Sequence, residues 1–154
     1  MKKLIAFVLA AAMMLSLAAC GGKADTKSVD LNALYESYAQ YMPEMFSLDE
    51  DTMMNFLGID AADCANYAVY ICGDGLRADE VWLIEAKDEA ALGRLKEMAE
   101  ARMQAKVNET ISYVPDQYVI VEQGVILTNG LYLALRVSPD VEALQAGFEA
   151  AMAE

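Results

Sequence analysis

Between Asp88 and about Ser112, apolar residues recur at three- and four-residue steps, at Leu92, Leu95, Ala99, Met103, Val107 and Ile111. That spacing predicts one amphipathic helix with Asp88 as its cap. At ~1.5 Å per residue it would be about 36 Å long, enough to cross a whole small domain. Hairpin signals stand on both sides of it. Upstream, Tyr67 to Cys72 and Glu80 to Lys87 are rich in β-branched and aromatic residues and flank Gly73-Asp74-Gly75. Downstream, Tyr118 to Glu122, Val125 to Thr128 and Leu131 to Val137 read as strands divided at Gln123-Gly124 and Asn129-Gly130. Asn-Gly between apolar runs is a strong hairpin signal, because both turn residues can take positive φ. Helices and strands therefore do not alternate one by one. The order predicts an α+β domain, with a mainly antiparallel sheet of four to five strands backed by the long helix.

Both faces of that sheet should be covered. Val69 and Ile71 share one face of the first hairpin, and Val81 and Leu83 alternate with Trp82 and Ile84, so neither face is free of apolar residues. Leu131, Leu133, Leu135 and Val137 fall together on the face expected to meet the long helix. Short helices should precede the sheet. Leu31, Leu34, Tyr35, Tyr38 and Met42 keep helical spacing after a cap at Asp30 and before a stop at Pro43. Ser47-Leu48-Asp49-Glu50 matches a capping box, and the helix after it should end near Gly58. Ser138-Pro139-Asp140 starts a C-terminal helix with Val141, Leu144 and Phe148 on its buried edge. Tyr35, Tyr38 and Tyr41 could stack on a sugar, but one stripe of a helix is first a packing surface.

Several chemistries are excluded by residue type. The chain has no histidine, so it holds neither a histidine-activated nucleophile nor a histidine metal ligand. It has no glycine-rich phosphate loop. The acidic run Asp49-Glu50-Asp51 lacks the ligand spacing and mid-loop glycine of a calcium loop. No metal or cofactor is expected. Cys64 and Cys72 should be free thiols. If Tyr67 to Cys72 is extended, Cys72 lies ~16 Å from Tyr67, and only three residues would have to bring Cys64 back to it. No catalytic constellation stands out among the acidic residues, most of which must be solvated. Glu80, at the start of an otherwise apolar strand, is the first candidate for binding. With it go Gln117 and the scarce bases Arg102, Lys106 and Arg136. Arg102 and Lys106 lie one helical turn apart and could hold an anion, although on an exposed helix they would balance nearby acids.

The first nineteen residues have a separate logic. Lys2 and Lys3 give a positive end, Leu4 to Leu15 is uninterrupted apolar, and small residues lead to Cys20. That is the layout of a secretory signal, and the run is shorter than the ~20 residues of a membrane-spanning helix. Leu17-Ala18-Ala19-Cys20 resembles a bacterial lipobox, which implies cleavage between Ala19 and Cys20 and a diacylglyceryl group on the Cys20 thiol. Two acyl chains anchor stably where one binds only marginally. Residues 20–29 then form a flexible tether, and residues 30–154 a single domain. Losing Lys2 and Lys3 takes the basic residues from eleven to nine against twenty-four acids, so the formal charge moves from −13 to −15. Such a surface repels nucleic acid and anionic headgroups, leaving the lipid as the membrane attachment.

Ala78-Asp79-Glu80, Tyr113-Val114-Pro115-Asp116-Gln117, Gly130-Leu131-Tyr132 and Ser138-Pro139-Asp140 occur in this order behind the lipobox. Together they resemble a family of small lipoproteins of Gram-positive bacteria described only as a domain of unknown function. The resemblance implies an extracytoplasmic, lipid-anchored place at the cell membrane and no particular activity. Three functions fit: a module that binds an unknown envelope protein, a receptor for a small ligand, and a carboxylate-based hydrolase. The first leads, because a tethered domain of this size has a methionine-rich segment and no catalytic set. A buried Glu80 in a deep pocket would favour the second.

Overall fold

Antiparallel pairing joins five strands into one sheet in a computed structural model that describes residues 28–153. The leader, Cys20 and the tether as far as Lys27 lie outside the described residues. The strands are β1 (Met45–Ser47), β2 (Cys64–Cys72), β3 (Glu80–Ala86), β4 (Val125–Asn129) and β5 (Tyr132–Val137), in the order β1-β2-β3-β5-β4. The domain is α+β, with the long helix and the C-terminal helix that the sequence pattern predicts. Among the described residues no helix is long and apolar enough to cross a membrane.

Helices cover both faces. One face carries Trp82, Ile84, Leu133, Leu135 and Val137, which pack against α3 (Glu89–Tyr113) through Ala91, Leu95 and Ala99. The short helix α4 (Pro115–Glu122) closes the same layer with Val121. The opposite face carries Val81, Leu83, Tyr132 and Ala134. Against it lie α1 (Leu31–Tyr38) and the C-terminal helix α5 (Val141–Ala153), through Leu31, Leu34, Leu144 and Phe148. Strand period two explains how β3 and β5 feed two cores at once. Each fully buried Leu or Ile contributes about 1.5–3 kcal/mol relative to an exposed one, so the two layers reinforce one sheet. Tyr35 stacks on Tyr70 at 3.4 Å, and Tyr35 and Tyr38 are buried, so the tyrosines of α1 are packing residues.

The structure corrects five local expectations. Tyr118 to Glu122 is not a strand but part of α4: Pro115 sits at the first helical position, and burial at Val114, Gln117, Tyr118 and Val121 keeps helical spacing. The fifth strand is instead the three-residue β1, which pairs Met45 with Cys72 and Ser47 with Tyr70. Ser47 lies in that strand, and Asp49 is the cap, accepting from the Thr52 N–H at 2.8 Å. The helix α2 begins as Glu50–Thr52 and widens to a π-helical turn over Met53–Leu57. On α3 the buried stripe is rotated by one residue toward Ala91, Lys106 and Thr110, leaving Ile111 54% exposed. Asn129 pairs with Tyr132 as the last residue of β4, and of the Asn129-Gly130 pair Gly130 alone takes positive φ, at 55°.

Gly58 ends α2 at φ 74°, its N–H bonded back to Met53 and Met54 carbonyls. An L side chain there meets the left-handed penalty, so Gly58→Ala is expected to lower stability by about 1–2 kcal/mol. Urea unfolding followed at Trp82 measures it; an unchanged midpoint would mean that the turn relaxes freely.

Candidate binding cleft

Glu80 opens β3 opposite Ile71 and Val137, and its side chain shares the α3 face with Trp82 two residues on. The carboxylate is fully buried. Trp82 Nε1 donates to its Oε1 at 2.8 Å. Arg102 Nε donates to both oxygens at 3.0 and 3.1 Å, and Arg102 Nη2 to Oε2 at 2.8 Å. Lys106 Nζ lies 2.8 Å from the same Oε2. Arg102 and Lys106 reach one carboxylate because they are a single turn apart on α3. Their side chains are 14% and 7% exposed, so they are not surface charges balancing random acids. Burial pushes the Glu80 carboxyl up, but the Arg102 hydrogen bonds and the charges of Lys106 and Arg102 outweigh it and hold it below the usual range.

Gln117 meets this group at the backbone. Its Oε1 accepts from the Ala78 N–H at 2.9 Å, while Lys106 Nζ donates to the Ala78 carbonyl at 2.8 Å. Ala78 precedes β3, so two side chains from α3 and α4 satisfy backbone groups that the sheet does not. Next to it Arg77 Nε donates to Asp79 Oδ2 at 2.9 Å. Asp79 Oδ1 is buried without a partner among the described residues.

Above these residues opens a cleft of about 580 Å³ between the β2–β3 turn and the C-terminal half of α3. Glu80, Arg102 and Lys106 form its buried floor, and Phe56, Leu76 and Tyr113 its exposed rim. Phe56 stands over Arg102, the guanidinium carbon 5.1 Å from the ring centre. The volume suits a small organic ligand, with an apolar rim and few convergent polar groups. A second cleft, of about 550 Å³, lies between α1, the end of α5 and the β4–β5 turn, and none of the five candidates lines it.

Arg136 stands apart from the other candidates. It pairs with Val81 and Val125 and points to the α1–α5 face, away from Glu80. All three of its guanidinium nitrogens, and the Tyr38 hydroxyl, are buried without a hydrogen-bond partner among the described residues. Phe148 lies beneath it at 5.5 Å. Burial pushes the Tyr38 hydroxyl up to about 12 against the pull of Arg136, and pushes Arg136 itself down.

The sequence thus grouped four residues that do come together, Glu80, Arg102, Lys106 and Gln117, and one that does not. It missed Trp82, Asp79, Arg77 and Phe56. Trp82 carried a usable signal, since i and i+2 share a face in a strand. Phe56 carried none, because only the tertiary fold brings α2 over α3. Cys64 and Cys72 are free thiols at opposite ends of β2, and burial raises the Cys64 thiol to about 11. Among the described residues no group of three or more carboxylates or thiols is placed to hold a metal.

These features define a three-layer α+β domain with a charged cleft beside the turn that enters its central strand. Residues 37–138 match the family described as domain of unknown function DUF4358, and the chain belongs to that family. The match runs from the end of α1 through Ser138, so it includes the whole sheet, α3 and the five candidate binding residues, and not Cys20. No curated protein and no solved structure matches the chain.

Proposed function

We propose that the protein is a lipid-anchored binding module on the outer face of the cell membrane, and that it holds a small ligand in the cleft above Glu80. The observation that carries this reading is the buried ion group at the base of a cleft whose rim leaves Phe56, Leu76 and Tyr113 in solvent. The hydrolase reading is weaker, because Glu80 is held ionised by two cations and is not poised as a general acid. The exposed rim also supports a protein partner, whose side chain would enter the same cleft.

The anchor rests on Leu17-Ala18-Ala19-Cys20 and on a tether whose eight residues from Gly21 to Ser28 extend at most about 29 Å. Cells fed an alkynyl fatty acid should label the wild type and not Cys20→Ser; an unlabelled wild type would remove the anchor. A photo-crosslinking amino acid at position 113 tests the cleft in the same cells. A small mass adduct supports a ligand, a higher-mass complex supports the protein partner, and repeated recovery of neither removes the cleft as the binding face.

A further inference from the structure

The two edges of the sheet end it in different ways. At one edge β1 is three residues long, follows Pro43-Glu44 and runs on toward Asp49-Glu50-Asp51, so it is short and flanked by charge. Short length, proline and charge are the means by which an edge avoids pairing with another chain. At the other edge β4 has none of them. Its five residues keep an unbroken register with β5, from Val125 opposite Arg136 to Asn129 opposite Tyr132. The strand holds no proline, and the thirteen residues from Gln123 to Leu135 are all uncharged in a chain of formal charge −13.

The hairpin fixes which backbone groups of β4 are left over. Gly130 and Leu131 form its loop, and the Leu131 carbonyl accepts from the Ala86 N–H on the β3 side. Backbone direction alternates along a strand, so Tyr132, Ala134 and Arg136 turn toward β4 and bond Asn129, Leu127 and Val125. Ile126 and Thr128 therefore turn their N–H and C=O groups outward, where no described residue meets them.

Two outward residues on either side of Leu127 are self-complementary. We infer that β4 pairs antiparallel with β4 of a second copy of this chain, about a two-fold axis at Leu127. Ile126 then exchanges backbone hydrogen bonds with the partner's Thr128, and Thr128 with the partner's Ile126. On the α3 face Ile126 lies beside the partner's Thr128, and on the α1–α5 face Leu127 lies beside its twin. Such cross-strand pairs are what stabilise a sheet. Charge selects the occupant. Two copies carry the same excess of acid and repel over most approaches, whereas this strip meets its twin with no charge on either side. The assembly closes as a dimer, because both β4 edges are used and the outer edges of the joined sheet are the blunt β1 strands. The pairing is independent of the cleft above Glu80, which lies at the β2–β3 turn.

Cysteine crosslinking in membranes of cells that make the full chain tests both the pairing and its register. Leu127→Cys sets its thiol opposite its twin with Cβ atoms about 4.5–5.5 Å apart, close enough for a disulfide after a small adjustment. Asn129→Cys is the more exposed position but lies roughly 14 Å from its twin in this register. Under mild oxidation Leu127→Cys should give about tenfold more dimer than Asn129→Cys or the parent chain, whose Cys64 and Cys72 thiols set the background. Thr128→Pro removes an outward N–H that β5 does not use, and an edge strand tolerates proline there. Added to Leu127→Cys, it should cut the crosslink about tenfold while the unfolding midpoint followed at Trp82 stays within the folded range. Should the proline unfold the domain, Thr128→Glu, which sets carboxylates across the seam, must give the same loss. Equal crosslinking of Leu127→Cys and Asn129→Cys, no crosslink from Leu127→Cys, or a crosslink that survives Thr128→Glu would each overturn the inference.

Discussion

Glu80→Gln should lower the stability of the domain by about 3–5 kcal/mol at neutral pH, because it leaves two cations buried without their shared carboxylate. The substitution keeps volume and an oxygen for Trp82 Nε1, so the loss is electrostatic and not a cavity effect. A domain of this kind has about 5–15 kcal/mol in reserve, and the variant should remain folded at low temperature. The pH dependence identifies the group. The Glu80 carboxyl is depressed in the folded protein, so its contribution is complete above the unfolded value of ~4.3 and fades as pH falls through the lower folded value. Wild type should therefore lose more stability than the variant between neutral pH and pH ~3, and the two curves should converge in acid. Urea unfolding followed at Trp82 measures both. Equal midpoints at neutral pH would show that the ion group does not hold α3 to the sheet.

Arg136→Met should have the opposite sign, raising stability by about 1–3 kcal/mol. Most substitutions at a fully buried position destabilise, but here the guanidinium leaves water with no buried carboxylate beside it, and its neighbour the Tyr38 hydroxyl falls outside hydrogen-bond geometry. The favourable contact with Phe148 returns only about 0.5–2 kcal/mol. Methionine keeps the unbranched stem that packs between β5, α1 and α5, and its thioether asks for no partner. Thermal unfolding compares the two proteins directly. A drop of more than about 1 kcal/mol would show that the guanidinium is satisfied in solution, and would make Arg136 an anchor of the α1–α5 layer.

Some of this architecture was legible in the chain. The α+β class, the long helix and both hairpins were readable because period and turn chemistry are local properties of ten to twenty-five residues. The Tyr118 to Glu122 segment misled, since its β-branched content suggests a strand, and the helix there depends on Pro115 and on one buried side, Val121, that only packing selects. Strand β1 escaped notice because three residues carry too short a pattern; pairing with β2 alone defines it. Ser47 fitted a capping box, but Asp49, two residues on, offers the same oxygen, and the pairing of Ser47 with Tyr70 decided between them.

The candidate site divides the same way. From sequence, Arg102 and Lys106 could be placed one turn apart and Glu80 marked as odd in an apolar strand, because both statements need only local geometry. That the three share one buried cluster follows from the one-residue rotation of the α3 stripe, which turns Lys106 and Thr110 inward where Val107 and Ile111 fit the sequence pattern better. Arg136 shows the complement: its register opposite Val81 puts it on the far face of the sheet, and sequence spacing says nothing about strand register between β3 and β5. By itself the chain determined its long helix and both hairpins, its acidic net charge, the absence of histidine chemistry and a lipobox-like stretch ending at Cys20. Tertiary structure alone decided which charges lost their water, and burial is what turns an ordinary Glu, Arg and Lys into one ion group.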